Sequence, residues 1–458
     1  MTNPPILFYS TNRSVPSADL RGALLQGQAA DKGLFMPATV PPLSQADLAG
    51  LVGKSYPEIA WFVLRRFTAG VIDDARLRAL CEDAYDYDVP LERVEGRRFL
   101  MRLDRGPTAS FKDFAARMMA RWMSVLMGEG RGDLVILTAT SGDTGSAVAH
   151  AYHGVSRVQS VVLFPIAEVS NRQRKQMTTL GGNVATFGVD GKFDDCQAMV
   201  KRAFADPELS DLRMSSANSI NIGRLLPQSV YYVYAYVRLA DVRAMEPMVF
   251  AVPSGNFGDM MGAVLAVRMG LPVSRIVIAT NANDEVPKFF ATGRYEKIVP
   301  SRDCISNAMN VGHPSNLARL VDAYGGWMDE SGAMREMPDM ERLRHDFHAV
   351  SISDDETRAT IRSAWERHRT VLEPHGAVGW AGLERFLAEP GAPSDPLAVS
   401  VETAHPAKFP EEIRSLLGID PEMPPSLAGL ESKPESYGRL TTEYEPFRRL
   451  LKERYARA

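Results

Sequence analysis

The sequence predicts an α/β protein built on parallel sheet with helices on both faces, and two observations carry that prediction. From Arg98 onward, short apolar runs alternate with amphipathic helical stretches, as in parallel sheets, where each return connection is a helix. Three glycine-punctuated or polar stretches then follow the ends of predicted strands, which is where open α/β sheets hold their ligands.

Before Arg98 the chain reads as helical, with apolar residues at helical spacing over 19–28, 57–68 and 73–87. Strands are predicted at 99–103, 134–138, 160–164, 184–189, 248–252, 276–280 and 398–401. Helices are predicted between them at 114–127, 145–152, 169–179, 193–204, 225–239 and 259–269. Over 283–340 the pattern breaks up. A polar helix follows at 354–369, and helical spacing resumes after Pro374-His375-Gly376 as far as Leu387, so 283–370 reads as an insertion or small subdomain. After Pro410 the chain reads as a helical tail rich in Arg and Glu. The expected division is 1–95, 96–410 and 411–458.

The chain has 458 residues, too many for one ordinary core, with 45% hydrophobic and 24% charged residues, the balance of a soluble globular enzyme. The net charge of −4 and the lack of a polybasic run argue against nucleic acid or a membrane as partner. Cys81, Cys196 and Cys304 are too few and too scattered for a disulfide framework or metal-ligand spacing, so no metal is expected. The N-terminal stretch Met1-Thr2-Asn3-Pro4-Pro5 lacks the charged and apolar regions of a signal peptide, and no segment is apolar for long enough to span a bilayer. A cytoplasmic protein is expected.

Lys112 is the residue with the most chemical meaning. It follows the turn signal Gly106-Pro107 and opens a helix-forming run. The positive end of a helix dipole disfavours its charged form. A partly neutral lysine is a nucleophile, and its usual use is a Schiff base with an aldehyde.

Four other stretches fit an aldehyde cofactor on that amine. Thr140-Ser141-Gly142-Asp143-Thr144-Gly145 can present several N–H groups to a carboxylate. Pro253-Ser254-Gly255-Asn256-Phe257-Gly258-Asp259 has two glycines that let the backbone wrap a phosphate, with a helix dipole behind. It is neither a Walker A motif nor Gly-x-Gly-x-x-Gly. In Glu402-Thr403-Ala404-His405-Pro406-Ala407-Lys408, Thr403 offers a neutral hydroxyl at a strand end. The polar run from Ser215 to Arg224 combines Arg, Ser and Asn, which suits a phosphate better than a core. Each stretch alone also fits a helix cap or a turn. Together they are the parts a pyridoxal-phosphate enzyme needs.

The runs GPTASFKDFAAR, TSGDTGSAVAHAY, NSINIGRLLPQ, PSGNFGD and ETAHPAKFP, in this order, resemble threonine synthases, in particular their longer bacterial and fungal branch. The opening YSTNRSVPSADLRGALLQGQAADKGLFMP is similar to that branch's LxxGLAxDGGLYxP pattern, and the resemblance runs from about Phe8 to Pro410. It implies a fold-type-II pyridoxal-phosphate enzyme, tryptophan synthase β-like, with two α/β lobes and a helical N-terminal domain. The implied reaction converts O-phospho-L-homoserine and water to L-threonine and phosphate, the last step of threonine biosynthesis, in a monomer or homodimer.

Residue by residue, the resemblance implies Lys112 as the Schiff-base lysine. Gly255, Asn256, Phe257 and Gly258 would hold the cofactor phosphate, with Asp259 adjacent, and Thr403 would face the pyridine nitrogen. Thr140, Ser141, Asp143 and Thr144 would receive the substrate carboxylate near the ring hydroxyl. Asn218, Ser219 and Arg224 resemble the substrate-phosphate site. The shorter branch carries asparagine where this chain has Asp143, and an aspartate beside a phenolate needs a shared proton or a rotated side chain. Lys408 is the second-choice lysine. A phospho-amino-acid lyase or a serine/threonine dehydratase on the same scaffold is the alternative reading.

Overall fold

The computed structural model describes residues 5–128, 132–140 and 142–456. Two parallel sheets form its two lobes. The larger has six strands in the spatial order Phe347–Ser351, Val273–Thr280, Met248–Pro253, Leu397–Glu402, Arg98–Arg102 and Leu91–Glu95, all parallel except the last. The smaller has five parallel strands in the order Gly438–Leu440, Val184–Val189, Val158–Pro165, Leu134–Ala139 and Arg213–Ser216.

The central strands were legible because helices cover both of their faces. Leu134–Ala139, Met248–Pro253 and Leu397–Glu402 are buried at every position, and such strands read as continuous apolar runs. Helices were legible from their spacing and caps. Ser55 accepts from the Glu58 N–H while Glu58 reaches back to the Ser55 N–H, which starts the helix Tyr56–Thr68.

Three expectations change. The segment before Arg98 is not all helix: Phe8–Ser10 pairs antiparallel with Phe35–Pro37, and Leu91–Glu95 is the antiparallel edge of the larger sheet. These strands are short, or half-buried with charged residues, so they carry no apolar run. The 283–370 stretch is not set apart, because Phe347–Ser351 pairs in register with Val273–Thr280. The last segment is not only helical. Gly438–Leu440 adds an edge strand to the smaller sheet before the helix Tyr444–Tyr455 packs on that lobe's core.

One hydrophobic core joins the N-terminal helices to both lobes, with Leu24, Phe67 and Tyr85 in the same cluster as Phe114, Tyr231 and Phe250. Arg319, fully buried, ties that junction with polar bonds, donating to the carbonyls of Phe35 (3.1 Å), Ser219 (3.1 Å) and Ile220 (2.7 Å). Satisfying so many carbonyls offsets the cost of burying a guanidinium.

The helix Pro374–Leu387 crosses the larger sheet so closely that a Cβ at Gly376 would lie 1.7 Å from Glu402 Oε2. Gly376→Ala gains helix propensity of roughly 1 kcal/mol but forces a contact that side-chain motion cannot relieve in a closed core. We expect a net loss of about 1–3 kcal/mol, read as a lower urea midpoint with unchanged slope.

Candidate active site

Every candidate named from the sequence lines one pocket between the lobes, except Ser141, which lies outside the described residues, and the second-choice lysine, Lys408, which is buried behind the wall. Its wall includes Lys112, Thr140, Asp143, Thr144, Asn218, Ser219, Arg224, Gly255, Asn256, Phe257, Gly258, Asp259 and Thr403. The residues come from the C-terminal ends of strands in both sheets.

Lys112 is the first residue of the helix Lys112–Leu126, and Phe111 provides no side-chain cap. The preceding turn is held rigidly. Asp113 accepts from the Thr108 N–H (2.8 Å) and hydroxyl (2.7 Å), and the Phe111 N–H donates to the Thr403 carbonyl (2.9 Å). The Lys112 ammonium sits 4.4 Å from the Phe111 ring centroid. Part of its surface opens to the pocket, but protein atoms surround the amine. Loss of hydration, with Arg224 and Lys408 opposing its charge and Asp143 and Glu373 favouring it, brings its pKa down to about 8.

The loop after Met248–Pro253 is a cradle for an anion. Its Gly255, Asn256 and Phe257 N–H groups have no backbone acceptor among the described residues. Phe257 is held left-handed (φ 60°), and the helix Gly258–Arg268 starts directly after it. A Cβ at Gly255 would approach the Met309 Cα to 3.0 Å, so only glycine leaves this close approach unstrained. Asn316 fixes the loop from outside, its amide donating to the Asn256 carbonyl at 2.8 Å. Asp259, one residue on, accepts at Oδ1 from Tyr231 (2.5 Å) and Tyr232 (2.6 Å). Burial raises its pKa to about 6 against those bonds, so the carboxyl is mostly ionised near neutral pH and takes up a proton only in mildly acidic solution.

Two side chains serve the frame more than the sequence implied. The Thr140 hydroxyl accepts from the Gly142 N–H (2.9 Å) and the Gly145 N–H (2.7 Å), so it caps the helix Asp143–Tyr152 and keeps only its proton for a ligand. The Asn218 amide clamps the Ala139 backbone, donating to its carbonyl (2.7 Å) and accepting from its N–H (3.3 Å). Arg224 is different. It is 3% exposed, donates to the Ala217 carbonyl at 2.6 Å, and its Nε has no hydrogen-bond partner. Burial lowers its pKa to about 10, still charged near neutrality. A buried cation with an unpaired donor on a pocket wall fits an anionic ligand.

Thr403 donates its hydroxyl proton to Glu373 Oε1 at 3.3 Å. That carboxylate also accepts from the N–H groups of His375 (2.8 Å) and Gly376 (2.9 Å) and meets His375 Nδ1 at 2.5 Å. The Ala308 N–H donates to His375 Nε2 (3.1 Å), which assigns the ring proton to Nδ1. Glu373 and His375 were missed from the sequence, as were Gln173 and Arg319, because nothing near them in the chain marks a pocket; Gln228, which lines it, was passed over although it ends the NSINIGRLLPQ run. Behind Thr403, burial and the charge of Glu373 push the Glu402 carboxyl well above the ordinary range.

A lysine of lowered pKa at a helix start, an anion cradle and a strand-end hydroxyl fit pyridoxal phosphate, whose aldehyde, phosphate and ring nitrogen need those three partners. With two α/β lobes around them, they define a fold-type-II pyridoxal-phosphate-dependent enzyme. Residues 88–401 match the family described as pyridoxal-phosphate dependent enzyme, residues 7–85 that described as threonine synthase N terminus, and residues 376–450 that described as threonine synthase, C-terminal. The chain is 37% identical over 407 residues to a threonine synthase of Serratia marcescens, covering 89% of this chain and 90% of that one. The structure matches a pyridoxal-phosphate-bound threonine synthase from Brucella melitensis with a TM-score of 0.89 at 34% identity, over 99% of this chain and 100% of that one. The yeast threonine synthase matches with a TM-score of 0.87 at 29% identity, over 98% of each chain. The chain belongs to the threonine synthase family.

Proposed function

We propose that this chain converts O-phospho-L-homoserine and water to L-threonine and phosphate. The observation that supports the reading is one pocket lined both by a glycine turn whose N–H groups lack backbone acceptors among the described residues and by a buried cation, two groups that suit anions. The cradle Gly255–Gly258 serves the cofactor, and Arg224, buried with an unpaired Nε, serves a phosphorylated substrate. A serine or threonine dehydratase has no use for the second.

Bound pyridoxal phosphate supplies an aldehyde for the substrate amine and an electron sink for Cα and Cβ. The chain's residues do the rest. Lys112, released by the incoming amine and of lowered pKa, would take the Cα proton; a second proton leaves Cβ so that the Cγ–O bond to phosphate can break, and protons return to Cγ and, after water adds, to Cα. Asn256 and Phe257 N–H groups hold the cofactor phosphate, assisted by the helix behind them. Thr403, its proton committed to Glu373, would be left to accept a hydrogen bond from a protonated ring nitrogen. Thr140 and Thr144, with Ser141, orient the substrate carboxylate, while Arg224, Asn218 and Ser219 receive the phosphate that leaves Cγ. Water then adds at Cβ. Closure of the lobes over the Thr140–Gly145 loop limits loss of a keto acid.

The division at about 95 and 410, a cytoplasmic location, and a monomer or homodimer belong to the same proposal. Among the described residues, no helix is long and apolar enough to cross a membrane.

Absorbance tests the reading. The protein loaded with pyridoxal phosphate shows a band above 400 nm that O-phospho-L-homoserine perturbs at lower concentration than L-serine or L-threonine does; equal responses to all three refute the substrate. Lys112 must also be neutral to attack an aldehyde. The rate at which the cofactor-free protein captures pyridoxal phosphate therefore rises with pH through about 8 and levels off above it. A midpoint near that of an ordinary lysine contradicts the site's electrostatics.

A further inference from the structure

We propose that Lys408, a second buried lysine behind the pocket wall, is a positioning residue whose charge cancels that of Asp143 and lets the pocket accept the anionic ring held at Lys112. The proposal rests on the reading of Lys112 as the cofactor's anchor.

Asp143 lines the pocket, whereas Lys408 does not. Lys408 Nζ lies 2.5 Å from Asp143 Oδ1, and the two side chains are 0% and 3% exposed. A second N–H of Lys408 donates to the Thr108 carbonyl at 3.0 Å, on the turn that presents Lys112. Gln173 Nε2 also donates to Asp143 Oδ1, at 3.1 Å. Both partners therefore take the same carboxylate oxygen. Oδ2 accepts no hydrogen bond among the described residues and is the atom left for the pocket.

Asp143 would otherwise be a poor neighbour for pyridoxal phosphate, which carries an ionisable ring hydroxyl as well as a phosphate. Two like charges side by side in a site of low dielectric repel strongly. The titratable groups facing Asp143 are Lys408, Lys112 and His375. Those facing Lys112 are Asp143, Arg224, Lys408, Glu373 and Asp259, and Asp113 and His405 also face Lys408. Burial would raise Asp143, but Lys408 above all, then Lys112 and His375, hold it below the ordinary carboxylate range. The carboxylate thus stays charged, and once Lys112 is bound to the cofactor, Lys408 is the cation in direct contact with it. The pair also settles the role of Lys408: its amine is committed to Asp143 and Thr108, which leaves capture of the aldehyde to Lys112.

Removing one member of a buried ion pair strands the other, whereas removing both does not. That asymmetry gives the test. Pyridoxal phosphate affinity is measured on the full chain by absorbance and fluorescence titration, for wild type, K408M, K408R and the double variant D143N/K408M. K408M weakens binding about tenfold or more, and K408R recovers part of the loss. The double variant, which has neither charge, returns to within about threefold of wild type. A merely structural role for Lys408 predicts no rescue by D143N. Binding of K408M within threefold of wild type, or a double variant no better than K408M, overturns the proposal. If K408M does not fold, the double variant decides alone: folded with near-normal affinity supports the pair, and anything else overturns it. A wild-type protein that binds the cofactor without a borohydride-fixed adduct at Lys112 refutes the underlying reading instead.

Discussion

Lys112→Ala lowers threonine formation by at least about a thousandfold, because it removes the cofactor's anchor and the base at Cα together. The fold survives: the side chain sits at a helix start and makes no hydrogen bond that the frame depends on, since Asp113, Phe111 and Thr108 hold the turn. Circular dichroism and the melting temperature therefore stay close to wild type. Borohydride treatment followed by peptide mapping finds the cofactor on Lys112 in wild type and on no lysine in the variant. A persistent adduct at Lys408 would transfer the anchor there, against its commitment to Asp143 and the Thr108 carbonyl.

Arg224→Ala raises the KM for O-phospho-L-homoserine about 10- to 100-fold, the worth of one or two hydrogen bonds to a charged group. Lys112 and the Gly255–Gly258 turn are untouched, so the variant still takes up pyridoxal phosphate and shows its absorbance band. Arg224→Lys recovers only part of the loss, because an ammonium cannot keep its bond to the Ala217 carbonyl and also present a fork to phosphate. A wild-type KM in Arg224→Ala removes this residue from the substrate site. The same substitution removes a buried side chain and a charge that Tyr152 and Asp113 feel, so stability is measured alongside.

Much of this was legible in the chain. Strands buried on both faces announce themselves, as Leu134–Ala139 and Met248–Pro253 do. Arg213–Ser216 does not, because its Ser215 and Ser216 are buried polar residues; the Ser215 hydroxyl donates to the Leu24 carbonyl, a partner from the N-terminal segment. Phe347–Ser351 was hidden for a different reason: it is a half-buried edge in a stretch with scattered apolar residues. At the site, glycine and hydroxyl residues after strands marked the loops, and the lysine marked the reaction. What stayed invisible was the support behind them. Asp143 and Lys408, Thr403 and Glu373, and Ser219 and Arg319 meet only in the folded chain. No local spacing rule joins residues so far apart.

The two lobes also explain why weak motifs combine. Each loop alone is an ordinary strand-to-helix turn, but the sheets aim five of them at one pocket. Ligand chemistry is defined by that convergence, and the lysine at its centre is meaningful because an acid, a neutral hydroxyl and an anion cradle surround it.

The central claim is the conversion itself, and product analysis tests it most directly. Purified protein, pyridoxal phosphate and O-phospho-L-homoserine are incubated, and amino acid, keto acid and phosphate are quantified together. The account predicts L-threonine and phosphate in equal amounts, with 2-oxobutyrate only in trace. Equal amounts of 2-oxobutyrate, ammonia and phosphate, without threonine, would contradict it.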